Sequence, residues 1–467
     1  MPTRIGFIRP RSRQRSAEEG VSNGVSRESI GRTLFRMKRL SPKLIICLFF
    51  IIQMSSPTLS EDVSLRHIGE IQPRHAREIE SSNWSVGAET MDRDYTIYEN
   101  WKDYLGPLGV KKARIQGGWA KTERGKGKYN WTWLDEVIFD MPRQGVEPWV
   151  CLCYGNPLYS DGGGTRLGAS MPRTEEALEA WERWVAAFVD RYKQYVDEWE
   201  IWNEPLHGKN NRADQYARLL IRTAEIIRSR QPDANILAMA MAGINIKGTE
   251  IVLRTLEKNN KLSLVNEITY HPYSYNPDDS YERVAELRET IDKYSSRITI
   301  RQGENGAPSE RRKTKALSNY DWTELSQAKW ALRRLLGDLG RDIPSSYFAI
   351  MDMKYPDEMN RKGLLCSTED QKVDYPKPAY YAVQHLTSIF DNSLRRIPDY
   401  SYTQNGSRSL SLFAYENKST GKQVVTIWFD DETPSNENTM TPVNFTFAGG
   451  DFEDPVYVDL RTGKVYA

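Results

Sequence analysis

The sequence predicts an α/β chain, a (β/α)8 barrel followed by a small C-terminal antiparallel β-sandwich domain. Three observations carry this. From Asn83 to Phe390, short apolar stretches of strand character alternate with longer segments of helical periodicity. No Gly-x-Gly-x-x-Gly follows the first strand, which argues against an open nucleotide-binding sheet. Beyond Phe390 the helical pattern stops, and short strands separated by Asn, Gly, Ser and Pro take over.

Taken in order, the strand candidates are residues 84–90, 112–117, 147–153, 197–203, 235–241, 266–271, 297–303 and 346–352. Helical patterns occupy 131–144, 174–195, 213–230, 281–294, 321–339 and 376–390. Within 174–195, Leu178, Trp181, Val185, Phe188 and Tyr192 recur at alternating spacings of three and four, which makes one buried stripe. Tyr216, Leu219, Leu220, Thr223, Ile226 and Ile227 do the same in 213–230. The sandwich strands are expected at 409–415, 422–429, 443–447 and 455–459. The chain therefore divides into a leader (1–60), a lead-in that can add a strand to the sandwich (61–82), the barrel (83–390) and the sandwich (391–467).

Charge bounds the partners. Across 467 residues, 64 Lys and Arg face 63 Asp and Glu, so nothing favours nucleic acid or another charged polymer. The basic amino terminus, with Arg4, Arg9, Arg11, Arg13 and Arg15 among Ser, Gly and Glu, reads as disordered. Met37-Lys38-Arg39 then precedes an apolar run at 44–52 and a small-residue exit at Thr58 and Ser60. That order of charge, apolar core and small residues describes a secretory signal cleaved after Ser60, with Met37 the better start. The expected destination is secreted or periplasmic, with no membrane attachment once processed; an uncleaved anchor is the alternative. The run is short for a membrane span. Cys151 and Cys153 stand two apart on a strand and point the same way, poorly placed to bond each other. The five His are scattered, no zinc spacing exists, and neither a metal nor a cofactor is expected.

Two strand ends carry the chemistry. Glu198-Trp199-Glu200-Ile201-Trp202-Asn203-Glu204 alternates like a strand and stops at Pro205, which cannot donate to a ladder. Ile298-Thr299-Ile300-Arg301-Gln302-Gly303-Glu304 repeats the design, with Asn305-Gly306 beyond it. In a barrel of this kind, active sites lie at the C-terminal ends of the strands. Glu204 and Glu304 are thus expected to face each other across one pocket, at the mouths of the fourth and seventh strands. Two carboxyl groups about 5–5.5 Å apart are what retaining glycoside hydrolysis needs. Like charge at that distance raises one pKa, leaving one acid and one nucleophile. Asn203 can hydrogen-bond a sugar hydroxyl, Arg114 can keep Glu304 ionised, and Tyr273 can donate its hydroxyl to the same carboxylate.

Trp202-Asn203-Glu204-Pro205 and Gly303-Glu304-Asn305-Gly306 resemble the catalytic pair of the large barrel clan of retaining glycoside hydrolases. Tyr129-Asn130-Trp131-Thr132-Trp133-Leu134-Asp135, Gly145-Val146-Glu147-Pro148-Trp149-Val150, Tyr154-Gly155-Asn156-Pro157, His271-Pro272-Tyr273 and Pro376-Lys377-Pro378-Ala379-Tyr380-Tyr381-Ala382 narrow the resemblance. Together they resemble the β-xylosidase and α-L-iduronidase family, glycoside hydrolase family 39, over roughly residues 84–390. The resemblance implies Glu204 as general acid/base and Glu304 as nucleophile. It makes Asn203 the 2-hydroxyl contact, Arg114 and Tyr273 supports of the nucleophile, and His271 a substrate contact or a support behind one. Asn156 and Trp119 follow as looser sugar contacts.

The eighth strand departs from the clan. Where a tryptophan platform is usual, the stretch reads Tyr347-Phe348-Ala349-Ile350-Met351-Asp352-Met353-Lys354. Asp352 can bind hydroxyls there, and Lys354, Arg361 and Lys362 can meet a uronic acid carboxylate, against a plainer reading as solvated loop charges. The implied activity is retaining hydrolysis of a polysaccharide or oligosaccharide, β-xylosidase-like, without cofactor. Alternatives are another sugar (uronic acid, arabinose or glucan), a non-catalytic carbohydrate-binding barrel, and a lyase or aldolase, for which Lys354 is the one lysine placed near a mouth. The sequence carries no signal for oligomeric state.

Overall fold

Eight parallel strands close into a barrel in this computed structural model, which describes residues 43–48 (backbone), 65–207, 212–439, 441–448 and 452–467. The strands are β1 (Trp84–Gly87), β2 (Lys112–Gln116), β3 (Glu147–Leu152), β4 (Glu198–Ile201), β5 (Asn235–Ala242), β6 (Glu267–His271), β7 (Thr299–Asn305) and β8 (Ser345–Tyr347). Each pairs in parallel with its sequence neighbours, and β8 returns to β1 through Ser345–Trp84, Ser346–Ser85 and Tyr347–Val86. All eight begin within three residues of the expected positions. The eighth ends early, at Tyr347, because the chain turns there into two short hairpins, Met353–Lys354 with Met359–Asn360 and Leu365–Ser367 with Val373–Pro376.

The outer helices are α1 (Thr132–Asp140), α2 (Glu175–Tyr192), α3 (Ala213–Arg230), α4 (Ile246–Lys258), α5 (Tyr281–Asp292), α6 (Glu324–Leu339) and α7 (Pro378–Ile389). Thr174 caps α2 by accepting from the Ala177 amide, worth about 1 kcal/mol. Trp181, Trp184, Val185, Phe188 and Tyr192 form its buried face, each worth about 1.5–3 kcal/mol in transfer terms. Helix α4 was not expected, because Lys247-Gly248-Thr249 interrupts its apolar stripe; Asn245 starts it by accepting from the Gly248 amide. No full helix follows β1, where one α-helical turn, Tyr98–Trp101, and two 3-10 turns, Met91–Arg93 and Lys102–Tyr104, form.

Beyond Phe390 a seven-stranded sheet forms in the order Leu394–Ile397, Leu410–Asn417, Gln423–Phe429, Lys43–Leu48, Glu453–Asp459, Lys464–Tyr466 and His67–Glu70. The lead-in thus supplies an edge strand. Half of the expected signal's apolar run, Lys43–Leu48, lies inside the sheet, parallel to both neighbours. The remainder of the leader lies outside the described residues. A ribbon of Tyr402–Gln404 and Phe445–Phe447 covers part of this sheet, with Phe445, Phe447 and Phe452 packed over Ala414, Val425 and Ile427. Arg74 meets Asp391 at 2.7 Å, and the Trp84 indole donates to the Phe390 carbonyl.

Candidate active site

Side chains alternate along a strand, so residues two apart stack as layers inside the barrel. Lys112, Glu198 and Glu267 begin β2, β4 and β6 and make the lowest charged layer. One step up come Arg114, Glu200 and Thr269. Arg114 is fully buried, and its guanidinium is fully engaged. It donates to Glu200 Oε2 at 2.7 Å, Glu89 Oε1 at 2.6 Å, Asn203 Oδ1 at 2.8 Å and Glu304 Oε2 at 3.2 Å. One cation thereby orients the amide and the carboxylate that flank the strand ends.

The chain above β4 is strained where the chemistry is expected. Trp202 and Glu204 have φ of 65° and 47°, in the left-handed region that costs a non-glycine residue energy and concentrates at functional sites. The Glu204 amide is anchored on the Ala240 carbonyl at 2.9 Å. Across the mouth, β7 carries Glu304 within the strand itself. Gly306 follows because a Cβ there would lie 1.9 Å from the Phe348 carbonyl oxygen.

The two carboxylates converge. Glu204 and Glu304 each bring a carboxylate oxygen, and His271 a ring nitrogen, within 4.8 Å of one another, close enough for two carboxylates to act on one bond. His271 Nδ1 lies 3.0 Å from Glu204 Oε1 and 3.6 Å from Glu304 Oε2. Tyr273 donates its hydroxyl to Glu304 Oε1 at 2.9 Å. His207 Nδ1 stands 2.9 Å from Glu204 Oε2. Asn203 turns its amide nitrogen to the Tyr154 hydroxyl at 2.8 Å. The same three donor atoms are also the one grouping among the described residues with metal-ligand spacing. Their oxygens already accept from Arg114, Tyr273 and the histidines, so the cluster reads as a hydrogen-bonded proton site.

Charge is not balanced evenly. Burial lifts the Glu89 carboxyl to about 8, with the Glu304 charge adding to it and Arg114 opposing. Burial would lift Glu204 as well, but hydrogen bonds from His207 and His271 outweigh it and hold that carboxyl at about 2. His271 is pulled down by burial and pushed up more strongly by Glu304 and Glu204, ending above its ordinary value. Burial and the Glu304 charge raise the Tyr273 phenol, which keeps it a donor.

Six of the nine site residues expected from sequence come together: Glu204, Glu304, Asn203, Arg114, His271 and Tyr273. Three do not reach the cavity. The Trp119 side chain is fully buried, with its indole on Glu123 and its rings against Tyr159 and Trp184, so it packs α2 onto the barrel. Asn156 ties a loop, donating to the Glu123 carbonyl and accepting from the Leu158 amide. Asp352 is 1% exposed and saturated by Lys377, Arg361 and the amides of Gly363 and Ser367. Lys354 bonds the Glu369 carbonyl and Arg361 the Ser367 carbonyl, so neither lines the cavity, whereas Lys362 does.

The site also holds residues the sequence reading passed over. Glu89 lies two residues beyond β1, by the strand-end rule that found Glu204, but with no motif around it. His207 stands three after Glu204. Phe348, beyond β8, is the aromatic that lines the cavity where the clan's tryptophan was sought. The cavity measures about 590 Å³, enough for one or two sugar rings, and Tyr95, Tyr154, Arg93, Arg312 and Tyr355 are among the other residues of its wall.

No family model matches the chain, and no curated protein matches it. Solved structures do. A family 39 glycoside hydrolase from the gut symbiont Bacteroides cellulosilyticus WH2 superposes with a TM-score of 0.56 at 19% identity, covering 74% of this chain and 70% of that one. A monomeric β-xylosidase from Caulobacter crescentus CB15 gives 0.52 at 20% identity, over 73% and 74%. The family 39 enzyme from Xanthomonas axonopodis pv. citri gives 0.51 at 18%, over 80% and 75%. At such identities the likeness establishes a shared barrel fold, and family 39 glycoside hydrolases are among the solved structures that this chain resembles.

Proposed function

We propose that this protein is a retaining glycoside hydrolase, with Glu304 the nucleophile and Glu204 the general acid/base. The observation that carries the reading is the meeting of those two carboxylates, from strands β4 and β7, within 4.8 Å of each other. Arg114 and Tyr273 hold Glu304 from both sides, which fixes its aim. Glu304 attacks the anomeric carbon while Glu204 protonates the departing oxygen; water, deprotonated by Glu204, then releases the sugar. The 3.0 Å contact between His271 Nδ1 and Glu204 Oε1 is a path by which a proton can reach the carboxylate when substrate enters.

A β-xyloside is the first substrate to try, since a β-xylosidase is among the solved structures of this fold. An aldolase through Lys354 is disfavoured, because that side chain does not line the cavity. A hydrolytic screen on aryl glycosides and glycan extracts, with released sugars read by mass, tests the reading. Turnover is expected, and Glu304→Ala and Glu204→Ala should each lower it by about a hundredfold or more. Azide should rescue Glu304→Ala and give a product of inverted configuration. Full activity in either variant, or sugar binding without turnover across the panel, would contradict it.

Secretion is the second part of the proposal, supported by the basic stretch, apolar run and small-residue exit. A mature chain that begins at Glu61 is the expected result of N-terminal sequencing. Recovery of the chain with Lys43–Leu48 still in its sheet would overturn cleavage.

A further inference from the structure

Both carboxylate oxygens of Glu204 are engaged in the free protein, each by a histidine. His271 Nδ1 meets Oε1 at 3.0 Å, and His207 Nδ1 meets Oε2 at 2.9 Å. A general acid must turn one of those oxygens to the departing glycosidic oxygen, so one histidine has to yield. The two differ in their freedom to do so. The His271 side chain is fully buried at the end of β6, whereas that of His207 is 51% exposed on the turn after β4.

Proton positions separate them further. His271 Nε2 is buried without a partner, beside Gly303, where a Cβ would come within 3.5 Å of it. A hydrogen on that nitrogen would have no acceptor, which is unfavourable in a buried site. The neutral ring therefore keeps its hydrogen on Nδ1, and the charged ring carries one there too, so Oε1 accepts from His271 in either state. Delivering a proton through Oε1 thus carries a penalty that delivery through Oε2 escapes. The phenols beside Glu204 are committed elsewhere: Tyr273 donates to Glu304, and the Tyr154 hydroxyl accepts from Asn203. The cations that share the cavity, Arg93, Arg166, Arg312, Lys315 and Lys362, form no ion pair with Glu204 among the described residues.

The sequence builds the His207 contact. Pro205 takes the second position of a β-turn, which its fixed φ suits, and the His207 amide closes that turn on the Glu204 carbonyl at 3.2 Å. Leu206 is buried and anchors it. The chain thereby returns an imidazole to the carboxylate three residues earlier.

We propose that His207 is a positioning residue for the acid/base: it shares the catalytic proton with Glu204 Oε2 in the free enzyme and is displaced from that oxygen by the leaving group. This rests on the glycosidase reading above. In the first step Glu304 bonds to the anomeric carbon as the glycosidic C–O bond breaks, and the leaving oxygen takes the proton from Oε2. In the second, Oε2 takes a proton from water as the water oxygen bonds to the same carbon and Glu304 departs. The imidazole then returns to Oε2.

The test is a series of aryl glycosides of the sugar that the hydrolytic screen selects, with dinitrophenyl, nitrophenyl and phenyl leaving groups. In His207→Ala, kcat/KM for the phenyl glycoside, which depends on the acid, should fall by about ten- to a hundredfold, as loss of a hydrogen bond to a charged group allows. The dinitrophenyl glycoside, which departs without a proton, should stay within about twofold. His207→Asn, whose amide nitrogen replaces Nδ1, should restore part of the loss. An equal fall across the series would mean that His207 only braces the turn, and would overturn the proposal, as would unchanged or faster hydrolysis of the phenyl glycoside. Nitrogen NMR of histidine-labelled protein without substrate separates this inference from the one it rests on. The His207 Nδ1 resonance, assigned by its absence in His207→Ala, should shift in Glu204→Gln. That shift without turnover of any glycoside would refute hydrolysis and uphold the shared proton. Turnover with no shift would do the reverse.

Discussion

The two charged layers of the barrel are built from the same strands and solve opposite problems. At the lower end, Lys112 and Arg301 meet Glu198 and Glu267, two cations against two anions. Arg301 contacts Glu198 at 2.6 Å and Glu267 at 2.7 Å. Burial would raise Glu198, but Arg301 and Lys112 prevail and hold it at about 2. At the upper end, Arg114 meets three carboxylates, Glu89, Glu200 and Glu304, and burial, with the Glu304 charge adding to it, lifts Glu89 to about 8. The balanced network holds Glu198 ionised, although burial raises Glu267. An unbalanced one keeps protons ready to move, which acid–base catalysis requires. The difference places stability at one end of the barrel and chemistry at the other.

Substitutions that cut one layer should spare the other's function. Arg114→Lys loses the fork that holds Asn203 and Glu304 together, and kcat should fall by about a hundredfold or more, since a bidentate site does not tolerate lysine. Arg301→Met strands buried Glu267, leaves Glu198 to Lys112 alone and should cost about 3–5 kcal/mol in a denaturant titration, with kcat per folded molecule retained. If Arg301→Met instead removed activity from fully folded protein, the division between the layers would fail.

A subtler effect follows from Glu89. Its carboxyl is raised in the folded state, so its contribution to stability is complete below the unfolded value, about 4.3, and drains away as pH rises through about 8. Between those limits the melting temperature of the wild type should decline. Glu89→Gln, a neutral isostere, should remove that component and flatten the profile. An unchanged slope would show that Glu89 is ionised throughout. The smallest expected effect is at Trp119. Because its ring packs α2 and never meets the cavity, Trp119→Phe should lower stability while leaving KM unchanged.

Much of the upper layer could be read from sequence because strand ends are punctuated. Pro205 marks the end of the β4 stretch and Gly306 the end of β7, so the carboxylates before them could be placed at one mouth. What the sequence could not supply was the direction and burial of side chains beyond those ends. Asp352 was expected at the close of a strand running to 352, but β8 stops at Tyr347, and the turn that follows swings Asp352 onto Lys377 at the start of α7. Trp119 and Asn156 sit at strand mouths as expected, yet both point into the packing between loops and α2. Glu89 escaped notice because one carboxylate after a short strand looks like any other until Arg114 is seen between it and Glu304. The helices were legible wherever the apolar stripe was unbroken, and α4 was hidden by its own Gly248.

The pairing of Glu204 with Glu304 is tested most directly by the stereochemistry of the first product. Proton NMR of an aryl glycoside turned over by the wild-type enzyme resolves the anomer before it equilibrates. Carboxylates within 4.8 Å leave no room for a water between nucleophile and sugar, so the product should keep the substrate's configuration. An inverted first product would contradict it.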